Sequence, residues 1–168
     1  MIQITPAWVL SLMVAIWPQA KSRWGETYPS TAEAMAESAN MSPLFEGNDG
    51  PAKTAAVMIA VSWYESAFNP KAIGDGGHSF CLGQINDSNF RHLQLTKTLI
   101  LSDVRVCVKA MSDVMRESFR VCKGRGFEEL LGHYAVGGNG CPASEKGRGR
   151  MRKAQWLFAQ YPYTAPEK

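Results

Sequence analysis

Apolar residues along this chain recur mostly at helical intervals. Val104, Cys107, Val108, Met111, Val114, Met115, Phe119 and Cys122 follow at three- and four-residue steps, the stripe of a helix with one face in a core. Ala55 to Val61 differs: the run has no polar residue, which predicts a helix buried on nearly every side. Pro51 suits the first turn of that helix, with Asn48 or Asp49 as its cap. Pro70 biases Asn69 away from helical dihedrals, so the last turn should end near Phe68.

The remaining segments extend the same pattern. Pro6 to Trp17 is apolar except for Ser11 and predicts a packed N-terminal helix closed by Pro18. Lys21 to Pro29 reads as a connector, and Thr31 to Asn40 as an Ala-rich helix capped by Ser30 or Thr31. Pro43 and the Gly47-Asn48-Asp49-Gly50 cluster mark a loop from Ser42 to Gly50. Asp87 or Ser88 caps a short helix through Phe90 and Leu93, and Ser102 caps the long striped helix, which Gly124 and Gly126 end. Phe127 to Tyr134 predicts another helix, stopped at Gly137-Gly138-Asn139-Gly140. A last one, about Arg150 to Gln160, carries Met151, Ala154, Leu157 and Phe158 on one face before Pro162. Only Ser79 to Ile85 suggests an extended piece. The expectation is a mainly α chain forming one domain over residues 1–168, with residues 1–50 as a helical extension packed on a core of 51–160.

Composition narrows the class without naming a function. The 168 residues suit one core, and the hydrophobic fraction of 45% is that of an ordinary globular protein. A net charge of +3 fits an acidic polymer or wall surface but is too small to argue for nucleic acid, and no nucleic-acid partner is expected. Lys146, Arg148, Arg150, Arg152 and Lys153 gather the late positive charge and read as a solvated helix face. The N-terminal apolar run is too short to span a bilayer comfortably, so no stable membrane span is expected. It also lacks the charged start of a standard secretory signal.

Cys81, Cys107, Cys122 and Cys141 lack CxxC or Cys/His metal spacing, so no metal site is expected. Outside the cytoplasm, Cys122 with Cys141 is the first choice of bridge, because the two bracket one loop-helix-loop unit. Closing a loop of about 20 residues adds roughly 3 kcal/mol on the chain-entropy account. Cys81 with Cys107 is then the remaining pair. Four buried free thiols are the competing state.

Candidate chemistry begins at Glu65, where the apolar helix must stop. A carboxyl there, with Trp63, Tyr64 and Phe68 around it in sequence, is costly to ionise. Such burial raises a carboxyl pKa and keeps the proton a general acid needs. The alternative is a salt-bridged or solvent-facing Glu at a helix end. Downstream, Ile73-Gly74-Asp75-Gly76-Gly77-His78 is Gly-rich but lacks the spacing and the Lys of a phosphate-binding loop.

Three motifs then occur in order: Glu65-Ser66-Ala67-Phe68-Asn69-Pro70, Gly76-Gly77-His78-Ser79-Phe80-Cys81-Leu82-Gly83-Gln84-Ile85-Asn86, and Tyr134-Ala135-Val136-Gly137. Together, over about Ala52 to Phe158, they resemble the lytic transglycosylase domain of the soluble type, a lysozyme-like helical fold that cleaves peptidoglycan. The variety is closest to those of phage particles and of conjugation or secretion machinery. Departures from the family pattern are Cys81 where Gly is usual, Gly83 where a larger apolar residue is usual, and Ala135 where Asn is frequent.

The resemblance implies cleavage of the β-1,4 bond between N-acetylmuramic acid and N-acetylglucosamine, with 1,6-anhydro ends and no cofactor. Glu65 is implied as acid and then base, Tyr134 as a catalytic partner whose hydroxyl orients the carboxyl or the N-acetyl group. Ser66, Ser79, Gln84 and Asn86 are the implied substrate-binding residues. Asp75 is a possible second carboxylate, which a hydrolytic muramidase on the same fold would use about 6.5 to 9.5 Å from the first. A non-catalytic glycan-binding module of a phage tail or secretion apparatus is the third alternative. His78, His92 and His133 form no nucleophile or metal cluster. The expected setting is the periplasm or cell wall, reached in a virion or by export without a standard signal peptide. The expected form is a monomer whose partner is the glycan strand.

Overall fold

The computed structural model describes residues 2–138 and 140–164. It is mainly helical, with one small sheet. Central is α4 (Gly50–Ser66), buried along almost its whole length from Gly50 to Ser62. It packs against α9 (Glu145–Gln160), α3 (Thr27–Met41) and α1 (Pro6–Ile16). Met58, Ile59 and Val61 have no exposed surface. Each such side chain contributes about 1.5–3 kcal/mol by leaving water. Nothing polar could face solvent along this stretch, and its uninterrupted apolar sequence follows from that.

The amphipathic α7 (Val104–Val121) lies across α3 and buries Cys107, Val108, Met111 and Met115. The N-terminal helices share the same core, through Val9, Leu12, Met13 and Met35. The sheet is a three-stranded antiparallel meander of two-residue strands: β1 (Ile73–Gly74), β2 (Ser79–Phe80) and β3 (Ile85–Asn86). Register pairs Ile73 with Phe80 and Phe80 with Ile85. Both expected bridges close, Cys81–Cys107 and Cys122–Cys141. The first ties the β2–β3 turn to α7. The second holds the loop before α9 against the end of α7.

Several boundaries differ from expectation. The supposed connector contains α2 (Ala20–Trp24), and α3 begins at Thr27, ahead of Ser30 and Thr31. Pro29 sits in the first turn of α3, where a missing N–H costs no intrahelical bond. Asp49 occupies the cap position of α4 but makes no capping bond; its carboxylate pairs with Lys53 at 2.7 Å. Ser102 closes a separate α6 (Lys97–Ser102), and Asp103 caps α7 instead by accepting from Arg105 N at 2.8 Å. The short helix after the sheet is a 3-10 turn over Asp87–Asn89, capped by Asn86, that runs into α5 (Phe90–Leu93). Phe127 to Tyr134 divides into a 3-10 turn at Phe127–Glu129 and α8 (Gly132–Val136). The last helix starts five residues before Arg150, with Ser144 as its cap. Asn139 lies outside the described residues.

Among the described residues no helix is long and apolar enough to cross a membrane. They also hold no group of three His, Cys, Asp or Glu side chains placed for a metal ion.

Candidate active site

The end of α4 is fixed with unusual thoroughness. Ala67 and Phe68 both take left-handed backbone angles, with φ of 50° and 61°. Neither has the freedom of glycine there, so outside tethers must hold the turn. Trp24 donates its indole N–H to the Ala67 carbonyl at 3.0 Å. The Ser66 hydroxyl donates to the Leu82 carbonyl at 2.9 Å and accepts from Asn69 N at 3.1 Å. Phe68 is fully buried between the rings of Tyr28 and Trp63. Glu65, in the last turn before this knot, is thereby held in place.

Glu65 opens into a groove of about 570 Å³. One wall comes from the sheet, with Asp75, Ser79, Gln84 and Asn86; the other comes from α8 and α9, with Tyr134, Lys146 and Arg150. The carboxyl is not surrounded by the aromatic residues beside it in sequence. Tyr64 is 52% exposed, and Trp63 packs against the tilted rings of Trp17 and Phe68. Instead, Arg150 Nη2 donates to Glu65 Oε1 at 2.5 Å, an ion pair with side-chain exposures of 7% and 18%. The expectation of an acid in purely apolar surroundings is therefore corrected. Burial still pushes the Glu65 carboxyl above its usual range, aided by the charge of Asp75, while Arg150 and Lys146 pull it back.

Six of the sequence-derived site residues line this groove and one does not. Tyr134 stands beside Glu65, whose charge adds to burial in raising the phenol pKa. Its hydroxyl, expected to orient the carboxyl, donates instead to the Gly83 carbonyl at 2.5 Å. Tyr134 thus pins the β2–β3 turn. Ser79 is buried and donates to Asp75 Oδ2 at 2.5 Å, so the carboxylate expected as a second catalytic group also orders its own loop. Gln84, at φ 50°, donates to the Cys81 carbonyl at 3.0 Å, and its Oε1 lies where a side chain on Gly74 would have to go. Asn86 Oδ1 accepts from Ser88 N at 3.0 Å. Ser66 is not on the groove wall, and its hydroxyl is committed to Leu82, Ser62 and Asn69. Ser66 thus braces the helix end, the other role open to it, rather than facing the groove.

Cys81 and Gly83 each suit their place in the turn. Cys81 sits at φ 63°, where glycine is the easier residue, and its bridge to Cys107 anchors it there. At Gly83 a Cβ would stand 2.9 Å from Met111 Cγ and 3.1 Å from Met111 Cβ, so any side chain there would have to displace Met111.

Sequence reasoning missed Lys146 and Arg150, which it placed on a solvated face. A signal existed. Gly147, Met151 and Ala154 form the buried stripe of α9, and Arg150 flanks it one position before Met151. Compared with known proteins, the chain matches no family model, and no curated protein or solved structure is similar to it.

Proposed function

We propose that the chain is a peptidoglycan lytic transglycosylase with Glu65 as its single acid and base. The observation that carries the assignment is a carboxyl at the end of a buried helix, raised in pKa by burial, in a polar groove of about 570 Å³. In this mechanism protonated Glu65 gives its proton to the oxygen bridging N-acetylmuramic acid and N-acetylglucosamine. The C1–O4 bond breaks, and the substrate's N-acetyl group stabilises the cationic C1. Glu65, now a carboxylate, takes the proton of the C6 hydroxyl while that oxygen bonds C1. The 1,6-anhydro ring closes, the acid is regenerated, and no water is consumed.

The surrounding residues suit supporting roles. Tyr134 and Ser66 keep the sheet turn and the helix end in register with the carboxyl. Gln84 and Asn86 present amides along the wall where sugar hydroxyls and N-acetyl groups would lie. A hydrolytic muramidase is the second candidate, favoured by one observation: Asp75 faces the same groove and its charge acts on Glu65. Against it, the Asp75 carboxylate already holds the Ser79 hydroxyl.

Mass spectrometry of muropeptides released from purified sacculi separates the two. Anhydro ends support the transglycosylase, and reducing ends the muramidase. Glu65→Gln tests catalysis itself, with an expected fall of about 10²- to 10⁴-fold in release. Undiminished release by that variant overturns both enzymatic assignments.

A further inference from the structure

The groove has a cationic wall that the mechanism above does not use. Lys146 and Arg150 lie four residues apart on α9, hence on one face of the helix, and both line the groove beside Glu65. The other cations of α9 are accounted for. Arg148 pairs with Glu145 at 3.1 Å, Arg152 with Glu128 at 2.9 Å, and the Lys153 ammonium sits 4.5 Å above the Trp156 ring. Lys146 is exposed, and among the described residues it has no acidic partner. Arg150 is 6% exposed; one nitrogen holds Glu65, and its buried Nε has no hydrogen-bond partner at all. An unpaired buried donor is costly and accepts a partner readily. The ion pair also works against the proposed chemistry, because the guanidinium favours the charged form of a carboxyl that must start protonated, although burial outweighs it.

We propose that Lys146 and Arg150 form a carboxylate-receiving subsite, and that an anionic group on the glycan strand draws Arg150 off Glu65 and frees the acid. The inference rests on the transglycosylase assignment and deepens it: the preferred substrate is a glycan bearing carboxylates, and a neutral strand leaves Arg150 paired with Glu65. Lys146 binds, and Arg150 acts as a positioning residue through Glu65. Two sources can carry the required group, the stem peptide of a substituted muramic acid and the lactyl carboxyl that peptide removal exposes.

The test compares three preparations of the same sacculi: native, methylamidated at their carboxyls, and stripped of peptides so that only lactyl carboxylates remain. Wild-type protein should cleave native sacculi about tenfold faster than amidated ones, the size of one charge-assisted hydrogen bond. Lys146→Gln should raise KM on native sacculi to near the amidated value and affect cleavage of amidated sacculi much less. Added salt should slow wild type more than Lys146→Gln. Lys123→Gln, which removes an exposed charge beyond α7, should match wild type throughout. Arg150→Lys should keep part of the preference for native sacculi, while Arg150→Gln should lose it. Stripped strands cleaved as fast as native ones show that the exposed lactyl carboxylate also engages the subsite, and stripped strands as slow as amidated ones confine it to the stem peptide. Cleavage of native and amidated sacculi at equal rates, or an equal effect of Lys146→Gln on both, overturns the subsite while the transglycosylase stands. No cleavage of any preparation overturns the enzyme and the subsite together.

Discussion

Arg150 Nη2 and Glu65 Oε1 meet at 2.5 Å across 85 residues of chain, joining the last helix to the end of the central one. The two charges act in opposite senses on the candidate acid. Burial raises the Glu65 pKa and the guanidinium lowers it, with burial the larger.

The sign of the pH dependence follows. An acid that must start protonated is competent below its pKa, so muropeptide release should decline as pH rises through the raised Glu65 value. Arg150→Gln removes an opposing charge, and the declining limb should move to higher pH. Rate profiles of both proteins from pH 4 to 9 check this. A flat wild-type profile, or a limb moved to lower pH in the variant, counts against Glu65 as the acid.

Tyr134→Phe keeps the ring and removes the donor to the Gly83 carbonyl. A carbonyl left without its partner costs about 1–3 kcal/mol where it is buried. Melting should fall accordingly, and turnover should fall with it, because the β2–β3 turn carries Gln84. Unchanged melting would show that the Gly83 carbonyl finds another donor.

Gly83→Ala places a methyl against Met111. Relief requires the turn or α7 to shift, at about 1–3 kcal/mol. Denaturant titration should show the loss with an unchanged slope.

Replacing both Cys122 and Cys141 with Ser should destabilise the protein by about 2–5 kcal/mol. The bridge closes the segment leading into α9, so the same variant should also loosen Arg150 against Glu65. The expected signature is a lower melting temperature together with a change in the pH profile; lowered stability with an intact profile would confine the bridge to a structural role.

By itself the sequence determined the helices whose patterning is continuous. Ala55 to Val61 and the stripe from Val104 to Cys122 are local records of burial, readable because helical periodicity repeats every few residues. It also marked the place of Glu65, since Pro70 stops the helix just beyond that carboxyl. The two bridges could be proposed from bracketing, although free thiols stayed open. Tertiary structure decided what depends on distant partners. Asp103 rather than Ser102 caps α7, and two-residue strands are too short to show alternation. Trp24, in a segment without helical signal, reaches across 43 residues to tie the end of α4. Arg150 looked like one more surface cation because spacing along a helix gives phase but not neighbours. Only the packing of α9 on α4 turns that phase toward Glu65, and long-range contact alone sets whether a charge meets water or another charge.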